Sequence, residues 1–215
     1  MQHDHDAIRE SNLHESRKHV LALVGDVTGF GRWARKCAED PAGYRRFMAH
    51  LYDAFLAYRN QTGGFIKLVG DGLLAVHELE SGHEPAIAER VFLNAFHLKK
   101  IIRHSIMGQM FPRPDGFRVR LVGGYVWKII LRMGEETLVD YNGYWINAGF
   151  RYLSVHKDRP FVAHTGAVEL LPQDFDAREK FVRIRLPSDD RTPDGLDRED
   201  MAELWAFDRP GPPRV

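Results

Sequence analysis

Gly63-Gly64-Phe65-Ile66-Lys67-Leu68-Val69-Gly70-Asp71-Gly72-Leu73-Leu74-Ala75-Val76 decides the fold, because it sets two short apolar runs around one Gly-Asp-Gly. Phe65 to Val69 and Leu73 to Val76 are rich in strand formers, and a flexible turn between such runs makes a β-hairpin. The tip then carries one carboxylate, Asp71. Upstream, Val20-Leu21-Ala22-Leu23-Val24 reads as a central strand apolar on both faces, and Asp26 stands at its exposed end before Val27-Thr28-Gly29-Phe30-Gly31. Aspartates at the ends of two buried strands suit divalent metal ions and a triphosphate, since Mg2+ takes one or two carboxylates together with phosphate oxygens. A lone Gly-Asp-Gly is usually no more than a turn, so the reading depends on its company.

That company is Asp140-Tyr141-Asn142-Gly143-Tyr144-Trp145-Ile146-Asn147-Ala148-Gly149-Phe150-Arg151, well downstream. An aspartate followed by Gly-Phe, a Lys-x-x-Gly-Asp-Gly hairpin and an Asp-x-x-Gly-x-x-x-Asn-x-x-x-Arg segment occur in that order, and jointly they resemble the signature of class III nucleotidyl cyclases. The resemblance runs from about Lys18 to Leu186. It implies the ferredoxin-like cyclase fold and conversion of a nucleoside triphosphate into a 3′,5′-cyclic nucleotide and pyrophosphate. It also implies two divalent metal ions, Mg2+ or Mn2+, held by the matches Asp26 and Asp71. Arg151 matches the arginine that stabilises charge on the transferring phosphoryl group, Asn147 the asparagine that orients the ribose, and Lys67 and Asp140 the base-reading pair of adenylyl cyclases. In the family the active sites lie at a homodimer interface, the aspartates from one subunit and the matches of Lys67, Asp140, Asn147 and Arg151 from the other.

The chain departs from the family pattern in two ways. The triphosphate-binding lysine near the end of the domain has no clear counterpart, which leaves Lys180, Arg183 and Arg185 as candidates. Trp145, Phe150 and Trp127 are bulkier than the residues usual at their places, and large rings would shrink a base pocket. The expectation is therefore a pyrimidine cyclase making cyclic CMP or cyclic UMP, with an adenylyl cyclase as the alternative. The single-domain organisation also resembles the stand-alone bacterial pyrimidine cyclases of Pycsar anti-phage systems. A catalytically silent, cyclase-like nucleotide-binding regulatory module is a further alternative, disfavoured because both aspartates and the Asn-Arg pair are present.

Length and composition set bounds on these readings. At 215 residues, one main domain is expected. Thirty basic and thirty acidic residues give no net field to recruit nucleic acid or an anionic membrane. The lone Cys37 excludes an internal disulfide and reads as structural. No run approaches the ~20 apolar residues of a membrane span, so a soluble, cytoplasmic protein is expected.

Along the chain, 1–17 reads as a polar arm, 18–187 as the catalytic domain and 188–215 as a tail with a short helix at 196–207. The His3-Asp4-His5-Asp6 run reads as solvated terminus. Asp40-Pro41 marks a helix start, and Tyr44, Phe47, Met48, Leu51, Phe55 and Tyr58 form its apolar stripe until Gly63. A second long helix covers 85–104, a strand 117–127, a further hairpin 128–141 and a helix 145–155 that places Asn147 and Arg151 one turn apart. With closing strands at 161–163 and 181–186, the order suggests an α+β protein with helices on a mainly antiparallel sheet.

Overall fold

The computed structural model describes residues 12–37, 40–109, 114–155, 157–184 and 204–207; the N-terminal His-Asp run and Arg185 lie outside them. Strand β1 (Leu13–Thr28) crosses the sheet, and its run Val20–Val24 is wholly buried because both faces are covered. Helix α1 (Phe30–Lys36) follows. Helix α2 (Pro41–Thr62) starts where expected: Gly43 N–H donates to the Asp40 carboxylate at 2.9 Å, proline occupies the first turn, and Gly63 closes the helix with a φ of 71°. Strands β2 (Phe65–Val69) and β3 (Gly72–Glu78) form the central hairpin.

Helix α3 (Glu84–Ile101) runs on through a π-helical turn, Ile102–Ile106. Then come β4 (Gly116–Met133), β5 (Glu136–Asn142), α4 (Tyr144–Tyr152), β6 (Phe161–His164), α5 (Thr165–Val168), β7 (Phe181–Arg183) and β8 (Leu204–Phe207). The sheet order is β2-β3-β1-β4-β6-β8-β7, with β5 also paired to β4. Among the described strands only the β4–β6 pairing is parallel; the others are antiparallel.

Alternation along the strands divides the interior into two layers. Leu21 and Leu23 of β1, Leu73 and Ala75 of β3, and Val119 and Leu121 of β4 pack with Phe47, Leu51 and Phe55 of α2 and with Val91, Phe92 and Leu98 of α3. Each such side chain contributes roughly 1.5–3 kcal/mol on burial. Val20, Ala22, Val24, Leu74, Val76 and Val122 form the other layer with Ile146, Ala148 and Tyr152 of α4. The first layer is the larger, and the candidate site lies on the face carrying the second. Cys37 is buried and unbonded to another cysteine, as a structural residue should be. Among the described residues no helix is long and apolar enough to cross a membrane.

Two elements differ from expectation. β1 begins at Leu13, inside the stretch read as a loose arm, because the far half of β4 pairs with it from Leu13↔Leu131 onward; its polar composition is that of an exposed strand. Within the expected helix at 196–207, Leu204–Phe207 is strand β8 between β6 and β7. A short apolar run fits either period, and burying Leu204 and Ala206 in the sheet decides it.

Candidate active site

The hairpin tip and the end of β1 meet through glycine. A Cβ on Gly72 would stand 2.8 Å from the Gly25 carbonyl oxygen, so only glycine lets β3 approach β1 this closely. Gly70 turns the tip with a φ of 61°, and the Tyr52 hydroxyl donates to its carbonyl at 3.0 Å. This geometry carries Asp71 to the end of β1, close enough to Asp26 for the two charges to interact. Burial, then the negative charge of Asp26, push Asp71 up to about 6 against the pull of its backbone hydrogen bonds.

Asp26 has a cationic neighbour. Asp26 and Arg118 are register partners across β1 and β4, and Arg118 Nη2 donates to Asp26 Oδ2 at 2.9 Å. Arg118 Nη1 donates to the Leu153 carbonyl just past α4, while Nε is buried without a hydrogen-bond partner in the described structure.

The pair Asp26 and Asp71 fits divalent cations: the donors are hard oxygens, and their mutual repulsion is what a cation relieves. No three His, Cys, Asp or Glu side chains gather into a metal site among the described residues. Two carboxylates leave most coordination positions to substrate oxygens and water, as Mg2+ prefers.

Lys67 and Asp140, distant in sequence, also meet. Lys67 Nζ donates to Asp140 Oδ2 at 2.8 Å, and the Tyr141 N–H donates to Oδ1 at 2.9 Å. Behind them the Tyr141 hydroxyl donates to Glu78 at 2.6 Å, alongside Lys128 at 2.8 Å and Lys18 at 3.3 Å. Burial works against ionisation of Glu78, but the hydrogen bonds from Lys128, Tyr141 and Lys18 outweigh it and hold the carboxyl down to about 2. The Phe65 and Tyr141 rings pack 5.1 Å apart, a second contact between β2 and β5.

Helix α4 starts at Gly143, whose φ of 146° favours glycine. Asn147 is exposed and Arg151 half-buried, and neither side chain has a polar partner among the described residues. Asp26 and Asp71 thus form one cluster, Lys67 and Asp140 a second, and Asn147 and Arg151 share α4. A cleft of about 590 Å³ beside the start of β2 is lined by Phe65, His77, Glu78, Arg90 and Tyr141 among others, and by none of the six matched residues.

Of the expected triphosphate contacts, Lys180 and Arg183 are exposed beside or on β7, at the opposite sheet edge from β2. Arg118, on Asp26 itself, was missed. The signal was in Phe117-Arg118-Val119-Arg120-Leu121, where two arginines interrupt a strand that must be buried. The bulky rings have separate surroundings. Trp145 lies over Gly124 and 4.5 Å from the His164 ring, and Phe150 packs on the second core layer. Trp127 is half exposed, paired in register with Asn142 beyond Asp140.

No protein-family model matches the chain, and no curated protein matches it in sequence. Solved structures do. The adenylyl cyclase CyaB from P. aeruginosa superposes with a TM-score of 0.68 at 14% identity, covering 91% of this chain and 96% of that one. The guanylyl cyclase Cya2 gives 0.64 at 14% identity over 93% and 96%. The guanylate cyclase domain of RhGC from Catenaria anguillulae, solved with GTP, gives 0.57 at 16% identity over 78% and 86%. Identities this low speak to the fold, and the chain has the α+β fold of the class III adenylyl and guanylyl cyclase catalytic domains.

Proposed function

We propose that the chain is a nucleotidyl cyclase working as a homodimer on a nucleoside triphosphate. The observation that carries this reading is Asp71 brought against Asp26 by the glycine contact of β1 and β3, on a fold shared with cyclases. In the reaction the ribose 3′-oxygen bonds to the α-phosphorus, the bond to the β-phosphate oxygen breaks, the 3′-hydroxyl loses its proton and pyrophosphate leaves. Divalent ions on Asp26 and Asp71 would acidify the 3′-hydroxyl and offset the charge of the β- and γ-phosphates.

The chain's other residues position and stabilise. Arg118, bonded to both Asp26 and the Leu153 carbonyl just past α4, would hold the Asp26 carboxylate in place beside that helix. Arg151 would meet the charge that develops on the α-phosphoryl oxygens, where a fixed guanidinium is worth on the order of a hundredfold in rate. Asn147, one turn earlier, would hold the ribose. In the proposed homodimer Asn147 and Arg151 would serve the partner's aspartates, as the cyclase resemblance implies.

Lys67 and Asp140 would open to read a base that offers one acceptor and one amine, a pattern that cytosine and adenine both meet. The proposed substrate is a pyrimidine triphosphate, CTP ahead of UTP, and the cyclic product would act as a second messenger in anti-phage signalling. Trp127, half exposed near the pair, is the ring left to narrow the pocket. Incubating the protein with each of the four nucleoside triphosphates and Mg2+ or Mn2+ tests the reading. A cyclic nucleotide and equimolar pyrophosphate are expected, and no product from any of the four would refute it. Cyclic AMP formed well above cyclic CMP and cyclic UMP would replace the pyrimidine assignment with ATP.

A further inference from the structure

Arg120 is the largest fully buried side chain among the described residues. It sits on the face of β4 shared with Val122 and, among the described residues, donates to main-chain carbonyls: Nε to Tyr152 at 2.8 Å, Nη2 to Val155 at 3.1 Å, and Nη1 to Arg159 and to Val119 at 3.0 Å each. Tyr152 ends α4, and Val155 follows just after it. The last carbonyls of a helix have no partner within the helix and carry the negative end of its dipole. The Tyr152 carbonyl accepts from the Val155 N–H at 3.3 Å, and Arg120 adds a charged donor to it from the face of β4 that α4 covers.

A buried guanidinium is a costly way to fill space. Burial and the neighbouring charge of Arg118 pull Arg120 down to about 9, so the surroundings resist its charge. A methionine would occupy a similar volume without that resistance. What the guanidinium adds is direction, because its planar fork fixes where several acceptors must stand.

The rest of the helix is held by height. A Cβ on Gly124 would lie 2.2 Å from the Trp145 indole, and one on Gly149 would lie 2.9 Å from Val24 Cγ2, so α4 rests directly on β1 and β4. These apolar contacts set its distance from the sheet and constrain sliding or rotation weakly. The carbonyl bonds of Arg120, with that of Arg118 to Leu153, fix the C-terminal end. Arg151 is the residue before Tyr152.

We propose that Arg120 is a positioning residue for Arg151: it pins the C-terminal end of α4 to β4 and so sets where the Arg151 guanidinium stands. Its consequence for rate rests on the cyclase reading; the pinning itself does not. Arg120→Met and Arg120→Lys are compared with wild type at a temperature where circular dichroism shows all of them folded. In Arg120→Met the amides around 149–153 should exchange with solvent about tenfold faster or more, while those of β1 and the first half of β4 keep their protection. The kcat should fall by about a hundredfold with KM within about threefold of wild type. Arg120→Lys should fall between the two, since one ammonium cannot serve both Tyr152 and Val155. A structural role alone would lower activity only as the folded fraction falls, and that result would overturn the proposal. So would wild-type exchange in α4 of Arg120→Met, or a raised KM at unchanged kcat. If wild type makes no cyclic nucleotide, the cyclase reading fails, and the exchange measurement still decides the pinning.

Discussion

Two charged clusters stand on one protein and are built in opposite ways. At the hairpin tip, Asp26 and Asp71 repel, and the glycine contact that brings them together leaves Asp71 harder to ionise. At the other, Lys67 and Asp140 neutralise each other at 2.8 Å and are backed by the paired Glu78. The first cluster has one guanidinium, Arg118 on Asp26, for two carboxylates; the second has one ammonium for one carboxylate. The difference is one of balance: the first cluster keeps an excess negative charge that a cation would relieve, and the second is already neutral.

The most severe way to break the first cluster is Asp26→Ala or Asp71→Ala. Each should lower cyclisation by at least about a thousandfold while near-UV circular dichroism stays native, because neither side chain is a core contact. Full turnover by either variant at unchanged metal concentration would refute the metal assignment. Arg151→Ala should cost about a hundredfold in kcat, read in the same assay; an unchanged kcat would remove Arg151 from the chemistry.

The second cluster should respond more gently. Lys67→Ala or Asp140→Ala should change folding stability by only about 0–1 kcal/mol, since the pair is half exposed. Preference among the triphosphates should nevertheless collapse by roughly tenfold or more, because an unpaired polar group no longer rejects the wrong base. Equal kcat/KM ratios across the four triphosphates in variant and wild type would deny the pair its base-reading role.

The smallest effect is on stability and follows from sign. Asp71 binds its proton more tightly in the folded state, at about 6, than at the ordinary carboxylate value. Its contribution is therefore fully present below about pH 4 and is lost as pH rises through about 6. Metal-free Asp71→Asn should melt with wild type at acid pH and above it at pH 7, by roughly 1–3 °C given the half-exposure of the group. Added Mg2+ should narrow the gap by stabilising wild type alone; a gap that stays constant across the titration would contradict the repulsion.

How much of this was legible depended on whether the signal was local. The hairpin, the Asp40 cap and the α2 stripe are set by neighbours in sequence, and they stand where Gly-Asp-Gly and the apolar spacing put them. The joining of Lys67 to Asp140 came only through resemblance, since no periodicity links β2 to β5. β8 was missed because four residues cannot display a period, and the first part of β1 because an exposed strand reads as polar coil. Arg118 and Arg120 were passed over for a different reason: a buried arginine means something only once its acceptors are known. The bulk of Trp145 was legible, but its place over Gly124 was not.

The central claim is that each chain carries half of two sites, and it is tested most directly by mixing. Asp26→Ala and Arg151→Ala, each inactive alone, are combined in equal amounts and allowed to exchange subunits, with exchange confirmed by mass spectrometry of tagged chains. A symmetric dimer predicts that half of the dimers become mixed and each carries one intact site, so activity should return to about a quarter of wild type. Exchange without recovery would mean that Arg151 serves the aspartates of its own chain, and the shared-site account would be wrong.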